Sequence, residues 1–310
     1  MADSSVYVLS EDLHLLLDRW SMARFDKVFS LPYDEIRAKL TQILTFNNHK
    51  VVRVSADQMH EGMAALLEHE QRPVISVDPV YWPTDRMLQI TRCVHYETLE
   101  NIDGFYARFG FPDPVDQVSD LVSTLHKHFN GLSAEVVLVD DVVFSGKVVV
   151  AVIQRLAEEG IRVVRVVCGI AVVEPTQSDP FAMCQKLGAV LHAAFTFGAE
   201  GTPKAVDEVC ERDFFVFCPM SGRSLYSEES NQGYPYIEPF GLAHSWASFG
   251  EFSPAISQKL IQLNIDILEL IEQQLGREIL FADLDRLPVR LLHPEVKSDS
   301  VRLHLLAHLL

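Results

Sequence analysis

The sequence predicts an α/β protein, with a mostly parallel sheet and helices on both of its faces. Three observations predict it. Short Val- and Ile-rich runs alternate with stretches of helical periodicity from residue 51 to residue 218, the pattern of strands joined by helical crossovers. The runs Val136–Val139 and Val163–Val173 are strongly apolar rather than alternating, as strands covered on both faces must be. Cap and turn residues stand between the runs, at Pro73, Asp113-Pro114, Gly160 and Asp179-Pro180, where one element has to stop and the next begin.

Taken in order, residues 3–50 read as largely helical. Ser10 caps a helix through Trp20 with Leu13, Leu16 and Leu17 on one face, and a second helix over Asp34–Leu44 follows Pro32. Val51–Val54 is a strand, the capping box Ser55-Ala56-Asp57-Gln58 starts a helix to Glu70, and Val74–Val77 is the next strand, so this part reads as βαβ. Asp78–Arg86 is a proline-marked loop and Met87–Val94 a strand. Residues 97–112, with Gly104, Gly110 and Pro112, read as an irregular segment of the length used for lids. A helix then runs from Pro114 to about His128, and a further helix over Lys147–Glu159 stops at Gly160. Val163–Val173, a short helix to Leu187, and strands over Ala189–Phe197 and Phe214–Cys218 complete the pattern. Residues 226–252 are a long aromatic loop, and Ser253–Leu275 is a helix closed by Gly276. The expected organisation is an N-terminal helical segment (1–50), an α/β core (51–225) and a C-terminal extension packing on the core (226–310).

The chain has 310 residues, 26 Lys plus Arg against 43 Asp plus Glu, and a formal charge of −17. That balance argues against nucleic acid as a partner, which asks for clustered positive charge. Five cysteines without a C-x-x-C pair read as free thiols in a reducing cytoplasm. The first ten residues do not read as a leader, and no apolar run approaches the roughly 20 residues that span a bilayer, so neither secretion nor a membrane is expected.

The chemistry concentrates in Glu135–Val150, EVVLVDDVVFSGKVVV. An apolar strand ends in Asp140 and Asp141, and a turn containing Ser145 and Gly146 opens a helix at Lys147. Ligands of open α/β sheets bind outside the carboxyl ends of the strands. Carboxylates there accept hydrogen bonds from vicinal hydroxyls, and backbone N–H groups at a helix start receive phosphate. The combination describes a pocket for a sugar phosphate. The same residues also read as an ordinary buried strand with a solvated acidic pair at its end.

This stretch resembles the ribose-phosphate signature of the type I phosphoribosyltransferases: four apolar residues, two acidic, two apolar, then a small hydroxyl-bearing loop with Gly. Val136–Val139, Asp140, Asp141, Val142, Val143, Ser145 and Gly146 match, whereas Phe144 and Val148 stand where the family carries small or hydroxyl residues. The match covers about sixteen of 310 residues. The resemblance implies that Asp140 and Asp141 take the ribose hydroxyls of phosphoribosyl pyrophosphate (PRPP), that Val142, Val143, Phe144, Ser145, Gly146, Lys147 and Val148 hold its 5′-phosphate, and that Mg2+ is required, with Asp140 and Asp141 as its protein ligands. The implied activity is glycosyl transfer to a small acceptor, by a cytoplasmic enzyme for which a homodimer is compatible. A non-catalytic PRPP or nucleotide sensor of the same fold is the alternative.

The family holds pyrophosphate with a second loop. The positional candidate here is Val80–Arg86, with Arg86 as its cation, although the loop has two prolines and no glycine. Arg92 is a further candidate. Ser221, Gly222 and Arg223 form a donor-rich turn suited to an anion or a base edge, and Tyr234, Tyr236 and Phe240 offer rings for stacking on a planar base. His126 and His128 point apart on a helix, and His304 and His308 lack a third ligand nearby.

Overall fold

The computed structural model describes residues 6–45, 50–95, 98, 100–129, 135–174, 179–220, 223–235, 253–285 and 300–307. In chain order the elements are β1 (Val6–Ser10), α1 (Leu13–Phe25), α2 (Tyr33–Leu44), β2 (Lys50–Val54), α3 (Ala56–Leu67), β3 (Val74–Ser76), β4 (Ile90–Val94) and β5 (Asn101–Arg108). They continue with α4 (Pro114–Phe129), β6 (Glu135–Val143), α5 (Lys147–Glu158), β7 (Arg162–Val172), α6 (Pro180–Lys186), β8 (Val190–Phe197) and β9 (Ala205–Cys210). A 3-10 turn (Glu211–Phe214) follows, then β10 (Arg223–Ser227), β11 (Gln232–Pro235), α7 (Ser253–Leu275) and α8 (Val301–Ala307).

The strands form three groups. One parallel sheet has the order β3-β6-β7-β8, a second has the order β2-β1-β9, and β10-β11-β5-β4 close into a small ring. The four-strand sheet is covered on both faces, as its sequence requires. Val137, Val139, Val167 and Ile170 join Met59 and Met63 of α3 in one core. Val136, Leu138, Val166 and Cys168 join Val118 and Leu125 of α4 and Val149, Val152 and Leu156 of α5 in the other. Burying each such valine or leucine contributes roughly 1.5–3 kcal/mol. Helix α3 can lie this close because residue 62 is Gly, where a Cβ would come within 2.5 Å of the Ala194 Cβ.

Several caps stand where the sequence places them. Ser55 and Gln58 form the capping box of α3, Asp179 caps α6, Asp113 Oδ1 accepts the Val115 amide at 2.9 Å, and α7 spans Ser253–Leu275. All five cysteines are free and buried. Among the described residues, no helix is long and apolar enough to cross a membrane.

Other expectations are corrected. The N-terminal segment is not only helical: β1 is the middle strand of its sheet, paired in parallel with both β2 and β9. Its four apolar residues are too few to separate strand from helix by periodicity, and its partners lie about 45 and 200 positions away. Val51–Val54 and Val74–Val77 do not form one βαβ unit, because β2 and β3 belong to different sheets. Residues 101–108 are not an irregular lid but β5, hydrogen-bonded to β4 and β11. Gly104 reads as a break, yet its φ of 101° is absorbed within the strand. The strand expected over Phe214–Cys218 is instead a 3-10 turn and an irregular buried segment, and the strand of that region is β9. Part of the expected aromatic loop is the hairpin β10–β11; residues 236–252 lie outside the described residues. Buried residues from Val6 to Leu305 share one core.

Candidate functional site

The carboxyl ends of β3, β6 and β9 converge on a cavity of about 320 Å³, with β4 and β5 of the ring contributing the wall formed by Ile90, Thr91, Arg92, Asn101 and Arg108. Asp140, Asp141 and the whole stretch from Val142 to Val149 line it. The register of β6 against β7 sets Asp140 beside Cys168, so the acidic pair sits within the paired strand rather than on a solvated tail.

The two carboxylates are not equivalent. Asp141 Oδ1 accepts the Val142 amide at 2.7 Å, and its Oδ2 is bonded by the Arg212 guanidinium. Burial alone would raise Asp141, but the charge of Arg212, the Val142 amide and the hydrogen bonds with Asp140 and Arg212 outweigh it and hold the carboxyl below its ordinary range. Among the described residues, Asp140 makes no such ion pair. Burial, then the charges of Asp141 and Asp78, push it well above the usual carboxylate range. The surroundings thus disfavour the ionised form of Asp140 and favour that of Asp141, the kind of separation that assigns distinct roles to paired carboxylates.

Arg212 is the centre of this arrangement. It is 2% exposed, its Nε lies 2.8 Å from Asp12 Oδ2, and its backbone amide donates to Asp12 Oδ1 at 2.9 Å. Next to it, Glu211 accepts the Leu13 amide at 2.9 Å and so caps α1, and pairs with Arg37 at 3.0 Å. Ser10 donates to Glu208 at 2.7 Å. Burial pushes Asp12 up to about 7 and Glu208 up to about 8. The end of β1, the 3-10 turn and the acidic pair of β6 are therefore one electrostatic unit.

The turn after β6 is shaped for a helix start. Gly146 has a φ of 66°, a conformation that L side chains resist, and a Cβ there would also meet Met183 Cε at 1.8 Å. The first intrahelical bond runs from Val150 N to Gly146 O, so the amides of Lys147, Val148 and Val149 have no partner within the helix. Three of its side chains are engaged elsewhere. Phe144 packs on the first core and Val148 on the second, while Lys147 Nζ bonds Asp103 at 2.8 Å on the cavity rim. What this loop offers a phosphate is its backbone together with Ser145, which also lines the cavity.

The loop after β3 is organised by its own acid. Asp78 accepts the amides of Val80, Tyr81 and Trp82 at 2.8, 2.8 and 2.9 Å. Burial and the charge of Asp141 push its carboxyl up to about 6. Arg86 is not among the residues lining the cavity and lies 3.8 Å from Asp85. Arg92 does line it. Arg223 pairs through its backbone with Arg92 across β10 and β4, whereas Ser221 and Gly222 lie outside the described residues. So do Tyr236 and Phe240; Tyr234 is tilted on Phe109 with ring centroids 4.5 Å apart.

Sequence reasoning passed over Asp12, Asp78, Arg108, Glu208 and Arg212. A signal existed for one of them: Glu211-Arg212-Asp213 is a run of charges between Val209-Cys210 and the very apolar Phe214–Cys218, a place where solvation of charge is not on offer.

The class of protein defined so far is an α/β protein with a carboxylate-lined cavity at its strand ends. No family model matches the chain, and no curated protein matches its sequence. Among solved structures it is similar to the orotate phosphoribosyltransferase from Aeropyrum pernix, at 13% identity and a TM-score of 0.25, over 45% of this chain and 70% of that one.

Proposed function

We propose that the chain binds PRPP and transfers its phosphoribosyl group to a small nucleophile. The observation that carries this reading is the meeting, in one cavity, of the acidic pair Asp140–Asp141 and the amides that open α5, which have no partner within the helix. Asp140 faces the sugar hydroxyls, Asp141 stays ionised beneath the ring, and the α5 amides receive the 5′-phosphate. In the reaction the bond from ribose C1 to the pyrophosphate oxygen breaks and its electron pair leaves with pyrophosphate. The acceptor's lone pair forms the new bond to C1 and its proton is released to solvent. Positive charge develops on the ribose ring as the bond breaks, and fixed carboxylate charge favours it.

Mg2+ suits one or two carboxylates plus phosphate oxygens. Among the described residues, no three His, Cys, Asp or Glu side chains are grouped to hold a metal by themselves. Asp140 fits the lesser requirement, since among the described residues its side chain makes no ion pair, and binding the ion would release the proton that burial and the neighbouring charges favour there. Both oxygens of Asp141 are already engaged, by Val142 and Arg212. The ion would therefore sit on Asp140 and supply charge neutralisation to the pyrophosphate.

A second reading, a PRPP or nucleotide sensor, is favoured by the loop after β3, whose amides are spent on Asp78. Incubation with PRPP, MgCl2 and a panel of bases and amines separates the two. Pyrophosphate release that depends on an acceptor supports the transferase; saturable binding without release supports the sensor. No binding of PRPP at all sinks the transferase and the PRPP sensor.

A further inference from the structure

We propose that Arg108 is the group that grips the pyrophosphate, supplying by side chain what the loop after β3 does not supply by backbone. This rests on the sugar-phosphate reading above and adds a residue to it. Three facts lead there. First, the amides of Val80, Tyr81 and Trp82 are turned inward to Asp78, and Arg86 stands off the cavity. Second, of the other cations on the wall, Arg212 is tied to Asp12 and Asp141, Lys147 to Asp103, and Arg92 is exposed at the middle of β4.

Third, Arg108 lines the cavity, and its Nε is buried without a hydrogen-bond partner. It acts electrostatically on Asp141, Asp78 and Asp140, yet among the described residues its guanidinium makes no ion pair with them. A buried donor left unpaired is costly, and an anion placed between Arg108 and the acidic cluster would satisfy it. The backbone of Arg108 is held for this purpose, its amide donating to Gln89 O at 2.9 Å at the end of β5. A guanidinium meets phosphate oxygens with two parallel N–H bonds. The chain then has two anion-binding elements, α5 and Arg108, with the acidic pair also on the cavity wall. A molecule bearing two anionic groups and a diol matches that set of groups.

The test is titration calorimetry of the full chain with ribose 5-phosphate, inorganic pyrophosphate and PRPP, each with MgCl2, on wild type, Arg108→Met and Arg108→Lys. Arg108→Met is expected to weaken pyrophosphate and PRPP about tenfold or more, the worth of a hydrogen bond to a charged group. Ribose 5-phosphate binding is expected to stay within twofold, and Arg108→Lys to recover part of the loss. Unchanged pyrophosphate and PRPP affinity in Arg108→Met, with ribose 5-phosphate still bound, overturns the assignment. If Arg108→Met does not fold, Arg108→Lys decides, because it keeps the charge and loses the fork: PRPP affinity equal to wild type overturns the proposal, and a selective loss supports it. A wild-type chain that binds pyrophosphate through Arg108 but not ribose 5-phosphate leaves the anion site standing and removes the sugar-phosphate reading.

Discussion

Replacing Arg212 by Met removes the guanidinium shared by Asp12 and Asp141 while keeping a long apolar side chain in its place. Asp12 is 0% exposed and the Asp141 side chain 21%, so neither can turn fully to water. Breaking a buried ion pair by deleting one partner costs about 3–5 kcal/mol, because the other charge stays behind uncompensated. For a chain of this size, at about 2–4 °C per kcal/mol, the melting temperature should fall by roughly 10 °C. The loss should also depend on pH. Without Arg212 the Asp141 carboxyl moves from below to above its unfolded value, so the variant gains protons on folding and is least stable at high pH. The assay is urea unfolding of wild type and variant at pH 5.5 and pH 8. The expected result is a deficit that shrinks at pH 5.5, where Asp12 and Asp141 accept protons. Equal urea midpoints for wild type and variant, or a deficit that grows on acidification, would refute the reasoning.

Asp140→Asn should leave stability equal or higher, since burial and the charges of Asp141 and Asp78 disfavour the ionised carboxyl there, while Asp141→Asn should destabilise by a few kcal/mol through loss of the Arg212 bond; melting curves of the two single variants, with PRPP titration of each, check the asymmetry, and equal thermal shifts would count against it. In the wild type, Asp78, Asp12 and Glu208 have folded-state values raised to about 6, 7 and 8. Their stabilisation is therefore complete below about pH 4 and lost as pH rises through 6 to 8, whereas Glu70, lowered to about 2 through its bond with Arg72, acts only in more acid solution. Unfolding free energy should be larger at pH 5.5 than at pH 8, and the reverse order would contradict the burial of these acids. Asn264, 0% exposed, ties α7 to the segment after the 3-10 turn by accepting from Val216 N and donating to Phe214 O, each at 2.8 Å. Asn264→Leu should cost about 3 kcal/mol by leaving both groups unpaired, and denaturant midpoints within error of wild type would show that the backbone finds other partners.

Local chemistry made much of this protein legible from its residues alone. The capping box at Ser55, the Asp113-Pro114 and Asp179-Pro180 starts, the full length of α7 and the strand–turn–helix around Asp140 and Gly146 are each written within a few consecutive residues, because caps, turns and apolar runs act over one or two turns of chain. The same locality explains why Asp140, Asp141 and the α5 start were visible as one unit. Which strands pair was decided only by tertiary structure. β1 is five residues long, and nothing within it says that it will lie between β2 and β9. Arg212 likewise reads as one charge among three, until the fold brings it to Asp12 and Asp141 across sequence separations of 200 and 71 residues. Burial turns those distant pairings into chemistry. In low-dielectric surroundings a carboxylate's state depends on which charge stands beside it, and that neighbour is set by the packing of sheets, not by the residues adjacent in the chain.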